Sequence, residues 1–215
     1  FDVGEEEVLP GKPINDYART KAQAESLVLQ SPLSTAILRP RAIYGPGDTA
    51  LLPRLEAALR RGWLPLMRDG QAVTNLTHVD DVCDAIVAAL ESSARGVFNI
   101  AGGEAIPLNW LVNEIARANS LAFRWRPVPL SIAMLAARGI EAVFTGLKLP
   151  SEPRLTRYSL GIFAYSLTLN TKRAQEVLGW RPRIPIADGF EAIFGVRPEA
   201  LPTHERDDYG KEQAS

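Results

Sequence analysis

The sequence alternates short apolar runs with longer amphipathic stretches over its first 120 residues. The runs that predict strands are 35–38, 73–77 and 97–101, and the stretches that predict helices are 17–29, 51–61, 82–90 and 108–119. Strands that alternate with helices favour an α/β architecture, because parallel strands need a crossover helix between them. The pattern therefore predicts a mainly parallel sheet covered by helices.

The second half of the chain is less regular. Phe123 and Trp125 alternate with arginines, which indicates a half-exposed strand. Helices are predicted at 131–147, 156–164, 172–178 and 187–194. We expect residues 1–120 to form the main domain and 121–194 mainly a smaller, mostly helical lobe, some of whose segments return to the main domain. The polar residues 195–215 are expected to form a loose tail.

Composition excludes several classes of function. The formal net charge of −1 gives no electrostatic basis for binding nucleic acid or an anionic membrane. The single cysteine and two histidines have no metal-ligand spacing, so no metal site is expected. The long apolar stretch 130–149 contains polar residues at helical spacing, which predicts a surface helix and no membrane span.

The first residues, Phe1 to Glu7, are acidic and have neither a basic region nor an apolar region typical of a signal peptide. We therefore expect a cytoplasmic protein. Because the chain starts at Phe1, we also expect that it begins partway through a longer protein.

Tyr17 and Lys21 lie four residues apart in a predicted helix and so share one face of it. A neighbouring ammonium favours the phenolate, which makes Tyr17 a candidate general acid or base near neutral pH. The alternative is a surface tyrosine beside a solvated lysine. The pair alone is a weak signal, and its context strengthens it.

The sequence resembles the C-terminal part of an extended short-chain dehydrogenase/reductase, the group of NAD(P)-dependent epimerases, dehydratases and 3β-hydroxysteroid-dehydrogenase-like reductases. Four blocks in the family's order carry the resemblance over residues 15–194. They are the Tyr17/Lys21 pair, Arg-Pro…Tyr-Gly-Pro-Gly at 39–47, His-Val-Asp-Asp-Val at 78–82 and Leu-Gly-Trp-Arg-Pro at 178–182. The resemblance implies part of a Rossmann-type doubly wound parallel sheet with a substrate lobe.

The resemblance also implies roles for particular residues. Tyr17 would move a proton to or from the substrate oxygen, and Lys21 would hold the nicotinamide ribose of NAD or NADP. The backbone around Pro40, Ala42 and Ile43 would face the nicotinamide amide, although a tight loop after a buried strand explains these residues equally well. Family members are often dimers through helices near the Tyr/Lys element, which leaves a homodimer open.

The sequence departs from the family's pattern at its start. It has no glycine-rich dinucleotide loop of the form GxxGxxG and no catalytic Ser or Thr before Tyr17. We therefore expect about 130 further residues upstream, and expect the present chain alone to be inactive and to bind NAD(P) poorly.

The substrate class is open between branches of the family. Nucleotide-sugar epimerases often carry an arginine four residues before the histidine of the third block, and this chain has Thr74 there. The region 123–165 looks more like the branch that acts on apolar alcohols and ketones, such as sterols and long 3-oxo or 3-hydroxy acids. A nucleotide-sugar epimerase or dehydratase is one alternative, and a non-catalytic dinucleotide-sensing protein is another.

Other candidate residues have plainer interpretations. Asp80 or a neighbour is expected to cap a helix, and Asp81 to be a solvated carboxylate. His78 is expected to be buried and hydrogen-bonded, because it has no triad partner. Cys83 is expected to lie in the core, and Trp180 to pack.

Overall fold

The computed structural model describes residues 2–7, 16–147 and 156–202. Its helices are α1 (Asp16–Leu29), α2 (Leu52–Leu59), α3 (Val79–Glu91), α4 (Leu108–Ala118), α5 (Leu130–Gly146), α6 (Arg157–Ala164), α7 (Lys172–Val177) and α8 (Ile186–Phe194). Its strands are β1 (Ala36–Pro40), β2 (Ile43–Tyr44), β3 (Trp63–Leu66), β4 (Val73–Thr74), β5 (Thr77–His78), β6 (Gly96–Ile100), β7 (Ile106–Pro107) and β8 (Arg124–Pro127). Each predicted helix is present within a few residues of its expected bounds.

The strands pair two by two, and parallel pairing dominates. β1 pairs with β6 in parallel from Ala36 opposite Gly96 to Pro40 opposite Ile100. The pairs β2–β5 and β3–β8 are also parallel, and β4–β7 is antiparallel. The predicted α/β class with mainly parallel strands is confirmed.

The predicted strand 73–77 is wrong as a single element. The chain forms β4 and β5 with a break at Asn75. At this break the Asn75 side chain makes hydrogen bonds in place of those of the backbone ladder. Its Nδ2 donates to the carbonyls of Gly102 (3.2 Å) and Glu104 (3.0 Å), and its Oδ1 accepts from the Leu169 N–H (2.9 Å). The two strands can therefore take different partners, β7 and β2.

Three apolar clusters hold these elements together. The largest surrounds α4, where Leu111, Val112 and Ile115 are almost fully buried, and it includes residues of α2 and α8. The second joins β6 to α3 and α7 through Phe98, Ile100, Ala85, Ala174 and Trp180. The third lies in the region expected to form the lobe and comprises Met67, Ala133, Ala137, Leu160 and Ala164. Burial of side chains of this size is the main source of stability.

The first residues of the predicted tail contact the body of the protein. The Glu199 N–H donates to the Glu114 carboxylate (3.0 Å), and Arg117 donates to the Arg197 carbonyl (2.7 Å). This part of the segment is therefore bonded to α4. The rest of the predicted tail, 203–215, lies outside the described residues.

Candidate functional site

The carboxyl ends of β1 and β6 form a short, well-fixed edge. Pro40 ends β1 opposite Ile100, and the Arg41 N–H continues the ladder by donating to the Ile100 carbonyl (2.9 Å). The chain then turns into β2. Pro40 is exposed, and Ile43 is 41% exposed, so both offer apolar surface at this edge. In parallel sheets, ligands bind beyond the carboxyl ends of the strands.

Ala42 has a backbone conformation that non-glycine residues seldom adopt, with φ at +44°. Thr77 holds it there from β5. The Thr77 N–H donates to the Ala42 carbonyl (3.1 Å), and the Thr77 hydroxyl donates to the neighbouring Arg41 carbonyl. Left-handed backbone of this kind costs about 1–2 kcal/mol and persists only where its surroundings impose it. The turn beside Pro40 is therefore built in one rigid shape.

Tyr17 and Lys21 lie one turn apart on α1, and both are exposed, Tyr17 to 65%. No side chain of α1 is buried. The helix is fixed to β1 by an ion pair in which the Arg39 guanidinium donates to both oxygens of Glu25, through Nε at 2.9 Å and through Nη2. These hydrogen bonds raise the pKa of Arg39 above its ordinary value, so the pair stays charged.

The predicted site residues thus fall into two groups. Pro40, Ala42 and Ile43 are contiguous at the sheet edge, while Tyr17 and Lys21 lie on α1. Within the described residues the two groups share no hydrogen bond. Their connection is indirect: Arg39, which anchors α1, is the residue before Pro40.

A buried aromatic pair lies behind this edge. Tyr44 and His78 are 3% and 5% exposed, and their rings meet edge to face at 5.3 Å between centroids. Burial raises the pKa of the Tyr44 phenol well above its ordinary value, and the negative charges of Glu104, Asp81 and Asp188 raise it further. Tyr44 is therefore a neutral packing residue and unsuited to proton transfer near neutral pH.

His78 is also structural. Its Nδ1 accepts the Asp80 N–H (3.2 Å) and so caps α3. The expectation of a buried, hydrogen-bonded histidine is confirmed. Of the two alternatives for the cap, Asp80 or a neighbour, the structure shows a neighbour: the His78 side chain, one residue before the helix, accepts the Asp80 N–H.

Asp81 and Cys83 differ from their expected environments. Asp81 is fully buried, and its carboxylate accepts the N–H groups of Arg183 (2.8 Å) and Ile184 (3.4 Å). The Trp180 indole donates to the Asp81 carbonyl (2.9 Å), so Trp180 packs as predicted. Cys83 is exposed, because it lies on the outer face of α3. Asp80 and Asp81 are adjacent and of the same type, so residue type alone does not show which of the two carboxylates is buried.

The Gly45–Pro46–Gly47–Asp48 turn carries a function that the sequence reasoning missed. The Asp48 carboxylate accepts the N–H groups of Ala50 (2.7 Å), Leu51 (2.9 Å) and Leu52 (2.9 Å) at the start of α2. Burial alone would raise the pKa of Asp48, but these hydrogen bonds lower it below its usual value. The turn thus fixes α2 directly after the sheet edge.

Replacing Asp48 by Ala is expected to lower the free energy of unfolding by about 1 kcal/mol, the ordinary value of a lost N-terminal cap. Because the folded pKa is depressed, the charge-dependent part of the stabilisation is complete above the unfolded pKa of about 3.9 and is lost as pH falls through the folded value. Urea unfolding at neutral and acidic pH tests this. Asp48→Asn is the control, since it keeps an acceptor, and its stability should lack the wild-type acid dependence.

Thr74, the position at which sugar-nucleotide enzymes often carry arginine, is buried to 4% exposure. Its hydroxyl accepts from the Arg41 Nε (3.3 Å). A cation therefore reaches this position from the turn after β1. Although residue 74 is not an arginine, a positive charge is therefore present beside it.

Two kinds of feature are absent from the described residues: a group of metal ligands and a membrane-spanning helix. None of their histidine, cysteine, aspartate and glutamate side chains gather in groups of three or more that could hold a metal ion. None of the helices in the described part of the chain is long and apolar enough to cross a membrane.

Residues 2–101 match the model of the NAD dependent epimerase/dehydratase family. A 2-alkyl-3-oxoalkanoate reductase from Stenotrophomonas maltophilia is 31% identical over 201 residues, which are 89% of this chain and 61% of that protein. The first half of the chain thus matches the NAD dependent epimerase/dehydratase family, and the relatives fit the extended short-chain dehydrogenase/reductase superfamily. The motif-based resemblance is confirmed.

A second relative carries the name of a steroid enzyme. A 3beta-hydroxysteroid-dehydrogenase/decarboxylase from Arabidopsis thaliana is 30% identical over 199 residues, which are 84% of this chain and 35% of that protein. Among solved structures, MoeE5 in complex with UDP-glucuronic acid and NAD is 25% identical, with a TM-score of 0.60 over 89% of this chain and 57% of that one. The chain spans about 60% of the length of three curated relatives that it matches.

Proposed function

We propose that the protein carrying this chain is an NAD(P)-dependent oxidoreductase that interconverts an alcohol and a ketone on an apolar substrate. The observation that carries the proposal is the exposed Tyr17/Lys21 pair on a helix tied by Glu25 and Arg39 to the strand that ends at Pro40. A phenol and an ammonium one helical turn apart are the groups that proton transfer to a carbonyl oxygen requires.

The sheet edge fits the nicotinamide end of NAD or NADP. Exposed Pro40 and Ile43 offer flat apolar surface, and the Ala42 turn is rigid enough to hold a ring in one orientation. Hydride exchange with a carbon that bears oxygen is the chemistry that a bound nicotinamide supplies. The sequence contains no glycine-rich loop that would bind the phosphates. The described residues would therefore hold only the nicotinamide end of the cofactor.

Tyr17 has the central role in the proposed mechanism. In reduction its hydroxyl donates a proton to the ketone oxygen, and in oxidation its phenolate accepts the proton of the alcohol. The Lys21 ammonium, one helical turn from Tyr17, would hold the nicotinamide ribose. A homodimer is part of the proposal, supported by exposed Leu27 and Leu29 on the same helix.

Apolar substrates are supported by the relatives named above and by the lobe itself. The named relatives act, according to their names, on a 2-alkyl-3-oxoalkanoate and a 3beta-hydroxysteroid. The region 128–147 has Arg138 and Glu141 as its charged residues and is otherwise mostly apolar. We therefore propose sterol-like or long-chain 3-oxo and 3-hydroxy compounds as the substrate class.

The full-length protein is expected to consume NADH or NADPH with a long-chain 3-oxo acid or a 3-keto steroid. UDP-glucose should bind much more weakly, because the lobe offers few polar partners for a sugar. Absorbance at the nicotinamide band measures turnover, and calorimetry measures the binding of each ligand. Tight UDP-glucose binding without ketone reduction would contradict the proposed substrate class.

A nucleotide-sugar enzyme remains the second candidate because of one observation. Arg41 brings a cation to Thr74, where a phosphate-binding arginine stands in many such enzymes. The similarity to MoeE5 in complex with UDP-glucuronic acid and NAD is consistent with it. The calorimetric comparison decides between the two candidates.

A further inference from the structure

One face of α5 is apolar and exposed along its whole length. Ile132, Leu135, Val143 and Leu147, just past the helix end, are 60%, 70%, 55% and 67% exposed. The opposite face is buried: Ala133 and Ala137 pack on the third cluster, formed with α6. Exposed apolar side chains this close together on one helix are typical of an interaction surface.

The centre of this face is a groove. Its lining residues are Ala136, Gly139, Ile140, Val143 and Phe144, and its volume is about 370 Å³. Small residues in the middle and larger ones beside them create the depression. Since every lining side chain is hydrocarbon, the groove matches an acyl chain and offers nothing to a polar ligand.

The described residues of α5 and of the segments next to it in the chain carry more positive than negative charge. Residues 121–147 and 156–166 contain four arginines (124, 126, 138 and 157) and one acidic residue, Glu141. Glu141 accepts from the backbone N–H and the Nε of Arg157 (2.7 Å each), so these two charges compensate each other and the other three arginines give the excess. Arg126 stacks on the exposed Trp63, with 5.1 Å from its guanidinium carbon to the ring centroid. This region is basic in a chain whose net charge is −1.

We propose that the exposed face of α5 binds the surface of an anionic lipid bilayer. Its apolar side chains would enter the boundary between headgroups and acyl chains, and the arginines would meet the lipid phosphates. A helix of 17 residues is about 25 Å long and would lie in the plane of the membrane. This orientation agrees with the absence of a spanning helix among the described residues.

A second copy of the chain fits this face less well. In a two-fold interface the same patch meets itself, which brings the two basic regions together. Like charges then oppose the contact, whereas anionic headgroups favour it. Charge therefore selects the bilayer as the occupant of this face.

Vesicle flotation of the full-length protein tests the proposal without substrate or cofactor, so its result is independent of the proposed activity. Binding to vesicles of phosphatidylcholine mixed with phosphatidylglycerol should exceed binding to phosphatidylcholine alone and should weaken in high salt. Val143→Asp should lower the partition coefficient about ten-fold, and Arg138→Gln about five-fold. Val177→Asp is the matched control, since Val177 is 50% exposed on α7, and it should bind as the wild type does.

Equal binding to the two vesicle types, or no binding to either, overturns the proposal. The same loss for Val143→Asp and Val177→Asp also overturns it, because the effect would then come from added negative charge alone. Sedimentation velocity supplies a further check. If Val143→Asp converts a dimer to a monomer, a second copy covers this face and the proposal fails. Circular dichroism confirms that each variant is folded.

Discussion

Replacing Tyr17 by Phe in the full-length protein is expected to lower kcat about 10²–10⁴-fold, the usual contribution of a positioned acid or base. Phe keeps the ring and removes only the hydroxyl. Because Tyr17 is 65% exposed and packs against nothing buried on α1, the substitution should leave the free energy of unfolding unchanged. Steady-state kinetics with the best ketone substrate, together with thermal unfolding, checks both parts.

Tyr165→Phe is the matched control for this experiment. Tyr165 is also exposed, at 46%, and its ring lies under Arg68 in the described structure. The control should keep the wild-type kcat. If Tyr17→Phe retains full turnover while the wild type is active, Tyr17 is not the proton donor, and the proposed mechanism is wrong even if the oxidoreductase activity stands.

Lys21 gives the same experiment a second arm. Removing its ammonium should weaken the contact with the nicotinamide ribose and take away the positive charge one helical turn from Tyr17. A Lys21→Met variant should therefore lose turnover and raise the KM for the nucleotide, whereas Tyr17→Phe should act mainly on kcat. Equal effects of both variants on KM alone would indicate a binding role for the pair.

The helices and the strands β1, β6 and β8 were predictable from the sequence because their signals are local, whereas the short strands β2, β3 and β7 were not predicted. Strand 96–100 and helix 108–118 each combine an apolar period with a clear boundary, and both are present as expected. The division of 73–78 into two strands was not predictable. It depends on Asn75 bonding to Gly102, Glu104 and Leu169, which are 27–94 residues away in the chain.

The same distinction between local and distant contacts explains which parts of the candidate site could be predicted from the sequence. The Tyr17/Lys21 pair and the Arg-Pro edge are short motifs, so their residues could be selected from sequence. The contacts that fix these residues could not be predicted from sequence. Glu25 bonds to Arg39, and Thr77 bonds to Ala42, between separate elements of the fold. The exposure of Cys83 likewise depends on which face of α3 the second apolar cluster covers.

Asp81→Ala is expected to be the most destabilising single substitution of a charged residue in the described structure, at about 3 kcal/mol. The carboxylate is fully buried and accepts two backbone N–H groups, from Arg183 and Ile184, 102 and 103 residues further along the chain. Each N–H left buried without a partner costs about 1–3 kcal/mol. These bonds tie the segment before α8 to α3, so their loss frees this segment from α3.

Asp84→Ala is the control that separates the loss of the buried Asp81 hydrogen bonds from the loss of a negative charge. Asp84 lies on the same helix, one turn on, and pairs with the Arg183 side chain at the surface. Exposed pairs contribute little, so this variant should unfold close to the wild type. Asp81→Asn should fall between the two, because its amide keeps one acceptor oxygen for the two N–H groups. Urea unfolding measures all three. Equal stability of Asp81→Ala and Asp84→Ala would mean that water replaces the Asp81 carboxylate at no cost, against the burial on which the prediction rests.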